Sequence, residues 1–143
     1  MVAVTSDDKI VPGSNEFAWL LDGVLKAKGA RYAVLLSQDG LELLHSGDIN
    51  KDTADKVSAA MSAVQSLSRA MKEFAPRGTA AWRQTMIEFD QGFMFLAAAG
   101  RGAHLLVSTT TDVDMENLAF RMQQLVQQHT DLTSRPRSEA AAQ

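Results

Sequence analysis

Residues 81–109 read AWRQTMIEFDQGFMFLAAAGRGAHLLVST, three apolar runs separated by two short turns. The turns, at 90–92 and 100–102, contain glycine next to polar residues, which is typical of β-hairpins. The second run is apolar at odd and even positions alike, so both faces of the sheet it joins must be covered by helices. The pattern predicts three consecutive antiparallel strands, over 81–89, 93–99 and 103–109.

Three helices are predicted from apolar residues at helical spacing. The first lies between Asn15 and Gly29, and Trp19 falls nearly opposite its apolar stripe, where either a neighbouring segment or a partner covers it. The second helix spans 52–74, with Asn50 or Asp52 as its cap. The last helix is expected over 112–131.

A second hairpin completes the set of strands. Asp39-Gly40 separates two apolar runs and predicts strands over 32–37 and 41–45. The order αββαβββα then predicts an α/β fold, a three-layer sandwich in which a five-stranded antiparallel sheet carries helices on both faces. The ends of the chain are polar or rich in small residues and lack periodicity. One domain is expected over 14–132, between flexible tails at 1–13 and 133–143.

Helix 52–74 is apolar over roughly half its circumference, wider than the ~100° stripe of an ordinary surface helix. One stripe contains Val57, Met61, Val64 and Met71, and the neighbouring stripe contains Ala60, Ala63, Leu67, Ala70 and Phe74. A sheet needs only one stripe for packing, so either both stripes belong to the core or one contacts a second chain. The width of the arc favours association.

Composition argues against several classes of function. The net charge is −3 and no stretch concentrates Lys or Arg, so nucleic acid is not expected as a partner. Cysteine is absent, and the sequence contains no phosphate-binding loop of the G-x-x-x-x-G-K-[ST] type. The three histidines lie on separate predicted elements, each expected at a strand end or on the surface. No catalytic residue, metal ligand or cofactor is predicted.

Membrane and export signals are also missing. No run of 18 consecutive apolar residues occurs, which argues against direct membrane insertion. The first residues contain Asp7 and Asp8 and no apolar segment of a secretory signal. A cytoplasmic protein is therefore expected.

The order and spacing of several motifs resemble the roadblock/dynein light chain family, in particular the bacterial members associated with Ras-like small GTPases. The resemblance covers roughly 15–132. The stretches that carry it are FAWLLD at 17–22, YAVLLSQDG at 32–40, RQTMIE at 83–88, GFMFL at 92–96 and AAGRG at 98–102.

The resemblance implies a homodimer. In this family the strand corresponding to 81–89 pairs with its twin and the helix corresponding to 52–74 packs against its twin, which gives a ten-stranded sheet. Pairing would also protect an edge strand that is otherwise prone to aggregation. The implied interface residues are Val57, Ala60, Met61, Val64, Leu67, Met71, Trp82, Gln84 and Met86.

The resemblance also implies a non-catalytic regulator or co-activator of a Ras-like GTPase, acting by protein–protein recognition in a signalling complex with, by family analogy, a membrane sensor-kinase-like protein. The polar side of the second helix is the candidate GTPase-facing surface, formed by Ser58, Ser62, Gln65, Arg69 and Lys72. Arg69 is either a solvated surface arginine or an arginine finger. Alternative functions are a scaffold or adaptor without effect on GTPase activity, and a small-ligand sensor.

Overall fold

The computed structural model describes residues 19–46, 49–75, 82–100 and 102–134, with side chains described up to residue 129. Its elements follow the predicted order αββαβββα. They are α1 (Trp19–Leu25), β1 (Ala30–Ser37), β2 (Glu42–His45), α2 (Lys51–Ala70), a 3₁₀ helix (Lys72–Phe74), β3 (Gln84–Phe89), β4 (Gly92–Ala98), β5 (Ala103–Thr110) and α3 (Met115–Ser134).

The five strands form one antiparallel sheet in the order β2-β1-β5-β4-β3. Helices α1 and α3 pack on one face, where Phe95 and Leu105 belong to their core, and α2 packs on the other, above Leu96 and Leu106. Neighbouring residues of β4 and β5 thus enter opposite cores, which explains why these strands lack polar alternation. The predicted three-layer sandwich with helices on both faces is confirmed.

Two glycines are required by the hairpins for different reasons. Gly40 has a φ of 87°, a left-handed conformation that lets the β1–β2 turn close. Gly92 lies in β4, and a Cβ atom there would collide with the carbonyl oxygen of Thr109. Gly92 is therefore needed because β5 approaches its backbone closely, in addition to its place beside the predicted turn.

Helix α2 begins as expected but ends four residues early. The side chain of Asn50 accepts a hydrogen bond from the backbone N–H of Thr53 at 2.8 Å, which identifies Asn50, and not Asp52, as the cap. At the other end the N–H of Met71 donates to the carbonyl of Ser68, and the chain continues as a 3₁₀ helix over Lys72–Phe74. The predicted continuous helix over 52–74 is corrected to this broken one.

Helix α3 is shifted relative to its prediction. The Asp114 carboxylate accepts the backbone N–H of Asn117 at 3.1 Å, so α3 starts after Asp114 and not at Asp112. Asp112 is instead bonded to the Thr110 hydroxyl in the preceding turn. The helix continues to Ser134, past the predicted boundary at 132. The predicted start of the first helix near Asn15 lies outside the described residues.

Candidate protein interaction surface

Small side chains bring α2 close to the β1–β2 turn. The Ser62 hydroxyl donates a hydrogen bond to the carbonyl of Gln38 at 2.8 Å. A Cβ atom on Gly40 would lie 3.1 Å from Cβ of Ser62 and 3.3 Å from Cα of Ala59. Larger residues on this side of the helix would separate it from the turn. The small side chains of Ala59 and Ser62 therefore allow α2 to lie close to the β1–β2 turn.

The packing of α2 against the sheet and the β1–β2 turn buries part of the helix surface that was predicted to be polar and exposed. The buried residues of α2 are Ala54, Ser58, Met61 and Gln65, and Ser58 and Gln65 are 0% and 2% exposed. The prediction that Ser58 and Gln65 face a GTPase is therefore wrong for this conformation. Met61 is buried against the sheet, so its assignment to a dimer interface is corrected as well. Val57 and Val64 are half-buried and pack beside it.

The second apolar stripe of α2 faces away from the sheet. Leu67 is 66% exposed and Phe74 in the 3₁₀ helix is 87% exposed. The exposed residues that share this side of the helix are Ala60, Ala63, Leu67, Ala70, Met71 and Phe74. We call this set the helix stripe. Nothing in the described chain covers it, whereas Val57, Met61 and Val64 of the first stripe pack against the sheet. Met71, which the sequence placed in the first stripe, is 59% exposed and is therefore reassigned.

Strand β3 is the edge strand nearest to the end of α2. It pairs with β4 alone within the described sheet, so the hydrogen-bonding groups on its outer side are unpaired there. Met86 is 51% exposed, Gln84 is exposed, and Phe89, absent from the predicted interface, is 56% exposed. Phe89 could have been predicted as an interface residue from the sequence, because it is a large apolar residue at the end of an edge strand. We call the helix stripe and β3 together the association face.

Hydroxyl groups connect the two parts of the association face. Ser68 Oγ of α2 lies 2.7 Å from Thr85 Oγ1 of β3, and the indole Nε1 of Trp82 donates to the same Thr85 oxygen at 2.8 Å. Trp82 is half-buried against the α2 core, so one part of its side chain packs inside the protein and the other part is exposed at the edge of the association face. The end of α2 is thereby fixed relative to the edge strand.

A buried histidine lies below this connection. His104 of β5 is 4% exposed, and its ring centroid is 5.4 Å from that of Trp82 in an edge-to-face arrangement. Burial lowers the pKa of His104, and the positive charge of Arg69 lowers it further. Among the described residues His104 Nδ1 and Gln65 Nε2 have no hydrogen-bond partner, and neither does Ser58 Oγ.

One histidine prediction needs correction. His45 and His104 lie at strand ends, as predicted, although His104 is buried. His129 is buried in α3, where its Nδ1 lies 3.0 Å from the carbonyl oxygen of Ala99, so it is neither at a strand end nor on the surface. His45 is half-buried beside the Glu42 carboxylate. The three rings are on different elements, as expected, and no cluster of His, Asp or Glu suited to a metal ion occurs in the described ranges.

The remaining predicted partner residues lie on α2 and the 3₁₀ helix, outside the helix stripe. Arg69 and Lys72 are exposed, and Ser62 is half-buried by its bond to the turn. Trp19 is 53% exposed but belongs to α1, on the opposite side of the sheet, and is therefore not part of this face. None of the helices in the described residues is long and apolar enough to cross a membrane.

Comparison with known proteins gives a family match and several related structures. The family model of the Roadblock/LC7 domain matches residues 17–109. The crystal structure of a Roadblock/LC7 domain from Streptomyces avermitilis is 32% identical; the match covers 77% of this chain and 91% of that one, with a TM-score of 0.71. No curated protein matches the sequence significantly.

More distant structures share the fold. An MglB with a tetrameric arrangement is 17% identical, with coverage of 82% of this chain and 87% of that one and a TM-score of 0.70. The gliding protein MglB from Thermus thermophilus is 16% identical, with the same coverage and TM-score. The family match spans most of the described sheet and the first two helices, including both parts of the association face. The chain belongs to the Roadblock/LC7 domain family.

Proposed function

We propose that this protein is a homodimeric, non-catalytic regulator of a Ras-like small GTPase that works by surface recognition in the cytoplasm. The observation that carries the proposal is the association face, an exposed apolar helix stripe beside an unpaired edge strand. Family membership supports an adaptor or regulator over an enzyme. The described residues also offer no metal cluster.

The dimer forms through β3 and the helix stripe. Antiparallel pairing of two β3 strands extends the sheet to ten strands and satisfies the edge hydrogen bonds. The same contact brings Leu67, Met71 and Phe74 against their twins, and each large apolar side chain that becomes buried contributes about 1.5–3 kcal/mol. The proposed interface retains Ala60, Leu67, Met71, Trp82, Gln84 and Met86, with Val57 and Val64 beneath it.

The GTPase is recognised by exposed charged residues at the end of α2. Arg69 in the last turn of α2 and Lys72 in the 3₁₀ helix are exposed and supply positive charge there. Charges at the rim of an interface mainly guide encounter and orientation. Under this proposal the dimer presents two such rims, and a membrane sensor-kinase-like protein is a further partner of the same complex.

The dimer is tested by adding a charge to the stripe. Leu67→Asp buries an unpaired carboxylate in the proposed interface, so we expect a monomer in size-exclusion chromatography with light scattering. Phe120→Asp is the matched control, because Phe120 is 60% exposed on α3, away from the association face. A Leu67→Asp protein that remains as dimeric as Phe120→Asp would contradict the interface. Circular dichroism verifies that both variants are folded.

The GTPase partner is tested with a bacterial Ras-like GTPase loaded with GTP or GDP. We expect binding that depends on the nucleotide and that weakens about tenfold in a protein carrying Arg69→Ala and Lys72→Ala. Lys26→Ala with Lys28→Ala, two exposed lysines after α1, is the control. Binding that ignores the nucleotide would favour an adaptor over a regulator. Hydrolysis and exchange rates measured on the same complex then separate activation from recruitment.

A further inference from the structure

A cleft lies beneath the N-terminal half of α2, away from the association face. Its volume is about 330 Å³, within the range typical of small-ligand pockets. The apolar side chains that line it are Tyr32, Val34, Ile49, Val57, Met94 and Leu106. The hydroxyl-bearing residues Thr53 and Ser108 complete the lining, and no charged residue is part of it.

The floor of the cleft follows from the strand register. Ser108 of β5 pairs with Tyr32 of β1 and with Met94 of β4, so these three side chains form one row across the sheet. Val34 and Leu106 are paired two residues further along and form the next row. The floor is therefore built from the three central strands, which are the most rigid part of the sheet.

The roof is formed by α2 and by Ile49, the residue before its cap. Thr53 and Val57 are one helical turn apart and face the floor, while Ile49 closes the side that leads into the helix. Burial of a charged group in this lining would be costly, because no opposite charge is present. The cleft therefore accepts an uncharged, mainly apolar body.

A positive charge lies next to the cleft. The guanidinium carbon of Arg31 is 5.5 Å from the ring centroid of Tyr32, which places a cation beside one wall. Arg31 is exposed and takes part in none of the salt bridges found within the described residues. It is therefore available to an anionic headgroup whose apolar body occupies the cleft.

We propose that this cleft binds a medium-chain monocarboxylate, with its hydrocarbon chain over the Tyr32–Ser108–Met94 row and its carboxylate beside Arg31. At the ~30 Å³ that one heavy atom occupies in liquid water, the cleft holds roughly eleven heavy atoms, the size of such a molecule. Binding stabilises the contact between α2 and the sheet, because the ligand touches both. The inference does not depend on the proposed GTPase partner.

The probe is decanoate, titrated into the 143-residue protein below the critical micelle concentration of decanoate. We expect one molecule per chain by calorimetry and a rise in melting temperature with decanoate concentration. In the protein labelled at methionine methyl groups, the NMR signal of Met94 should shift while that of Met86, on the exposed edge, should not. This measurement uses the unmodified protein. A titration that changes neither the melting temperature nor the Met94 signal, or one that shifts Met86 and leaves Met94 unchanged, would overturn the proposal.

Variants then test the position of chain and headgroup. Ser108→Phe fills the floor and should abolish binding while leaving the oligomeric state unchanged, and Thr53→Phe fills the cleft from the roof and serves if Ser108→Phe does not fold. Arg31→Gln should weaken binding about fivefold, the upper range for an exposed ion pair, whereas Arg83→Gln, an exposed arginine elsewhere, should not. Undiminished binding in a folded cleft-filling variant, or equal weakening by both arginine variants, would contradict the assignment.

Discussion

The two faces of the sheet are built differently. On the α1 and α3 side, fifteen buried apolar residues form one continuous core among the described residues, whereas the α2 side has five. The α2 side also contains the three buried polar atoms that lack partners in the described structure, on Ser58, Gln65 and His104. The first face provides most of the stability of the domain, and the second retains groups that a purely structural core would not contain.

The largest expected effect of this difference is on the free energy of unfolding when a core leucine is truncated to alanine. Leu105 and Leu106 are neighbours in β5 and point into the α1/α3 core and the α2 core respectively. Leu105→Ala should lower the free energy of unfolding by about 4 kcal/mol and Leu106→Ala by about 2 kcal/mol, because the smaller core collapses more easily around a cavity. Urea denaturation at one fixed protein concentration measures both. Equal losses of unfolding free energy in the two variants would show that the two faces of the sheet contribute equally to stability.

A smaller effect, of opposite sign, is expected at Gln65. Its amide nitrogen is buried without a partner among the described residues, so Gln65→Leu removes a desolvated polar group while roughly keeping the volume. We expect a gain of about 1 kcal/mol in the free energy of unfolding. Gln123→Leu, at an exposed position of α3, is the control and should change stability little. A loss of stability in Gln65→Leu would indicate that the amide is satisfied in the assembled protein.

The smallest expected effect is a pH dependence confined to the α2 side. Because the pKa of His104 is lowered in the folded protein, the unfolded chain binds the proton more readily. The contribution of neutral His104 to the free energy of unfolding is complete above the ordinary histidine pKa near 6.5. It declines as the pH falls below that value. His104→Phe should flatten the stability profile between about pH 7 and 5, measured by thermal unfolding. An unchanged profile would exclude His104 as the titrating group.

The order of the helices and strands, and the presence of helices on both faces of the sheet, were predictable from the sequence because they depend on local patterns. Asp39-Gly40 and the absence of polar alternation in β4 each have one simple structural explanation. Such features are determined by residues close together in the chain. Gly29, by contrast, was expected to end the first helix, but α1 ends at Leu25, and Gly29, with a φ of 88°, belongs to the turn that leads into β1.

The orientation of α2 was not predictable in the same way. Hydrophobic periodicity assigns the most apolar side of a helix to the core, but an associating helix has two apolar sides. The side that packs on the sheet also contacts the β1–β2 turn, for example through the hydrogen bond of Ser62 to Gln38, between residues 24 positions apart. The apolar pattern alone therefore left Ser58 and Gln65 on the exposed side, although both are buried, and placed Met71 in the stripe that packs on the sheet, although it is exposed.

The bond between Ser68 and Thr85 has a consequence for the accuracy of assembly. In the proposed dimer, a shift of the β3 pairing by two residues would move the partner sheet by about 6.6 Å, more than the roughly 5.4 Å pitch of a helix. Since the hydroxyl link fixes α2 to β3 in each chain, the two helices would move by the same distance and their apolar side chains would no longer meet. The contact between the two helices therefore depends on the register in which the two β3 strands pair. Of the registers that an exposed edge strand could adopt, only one also brings the helix stripes together.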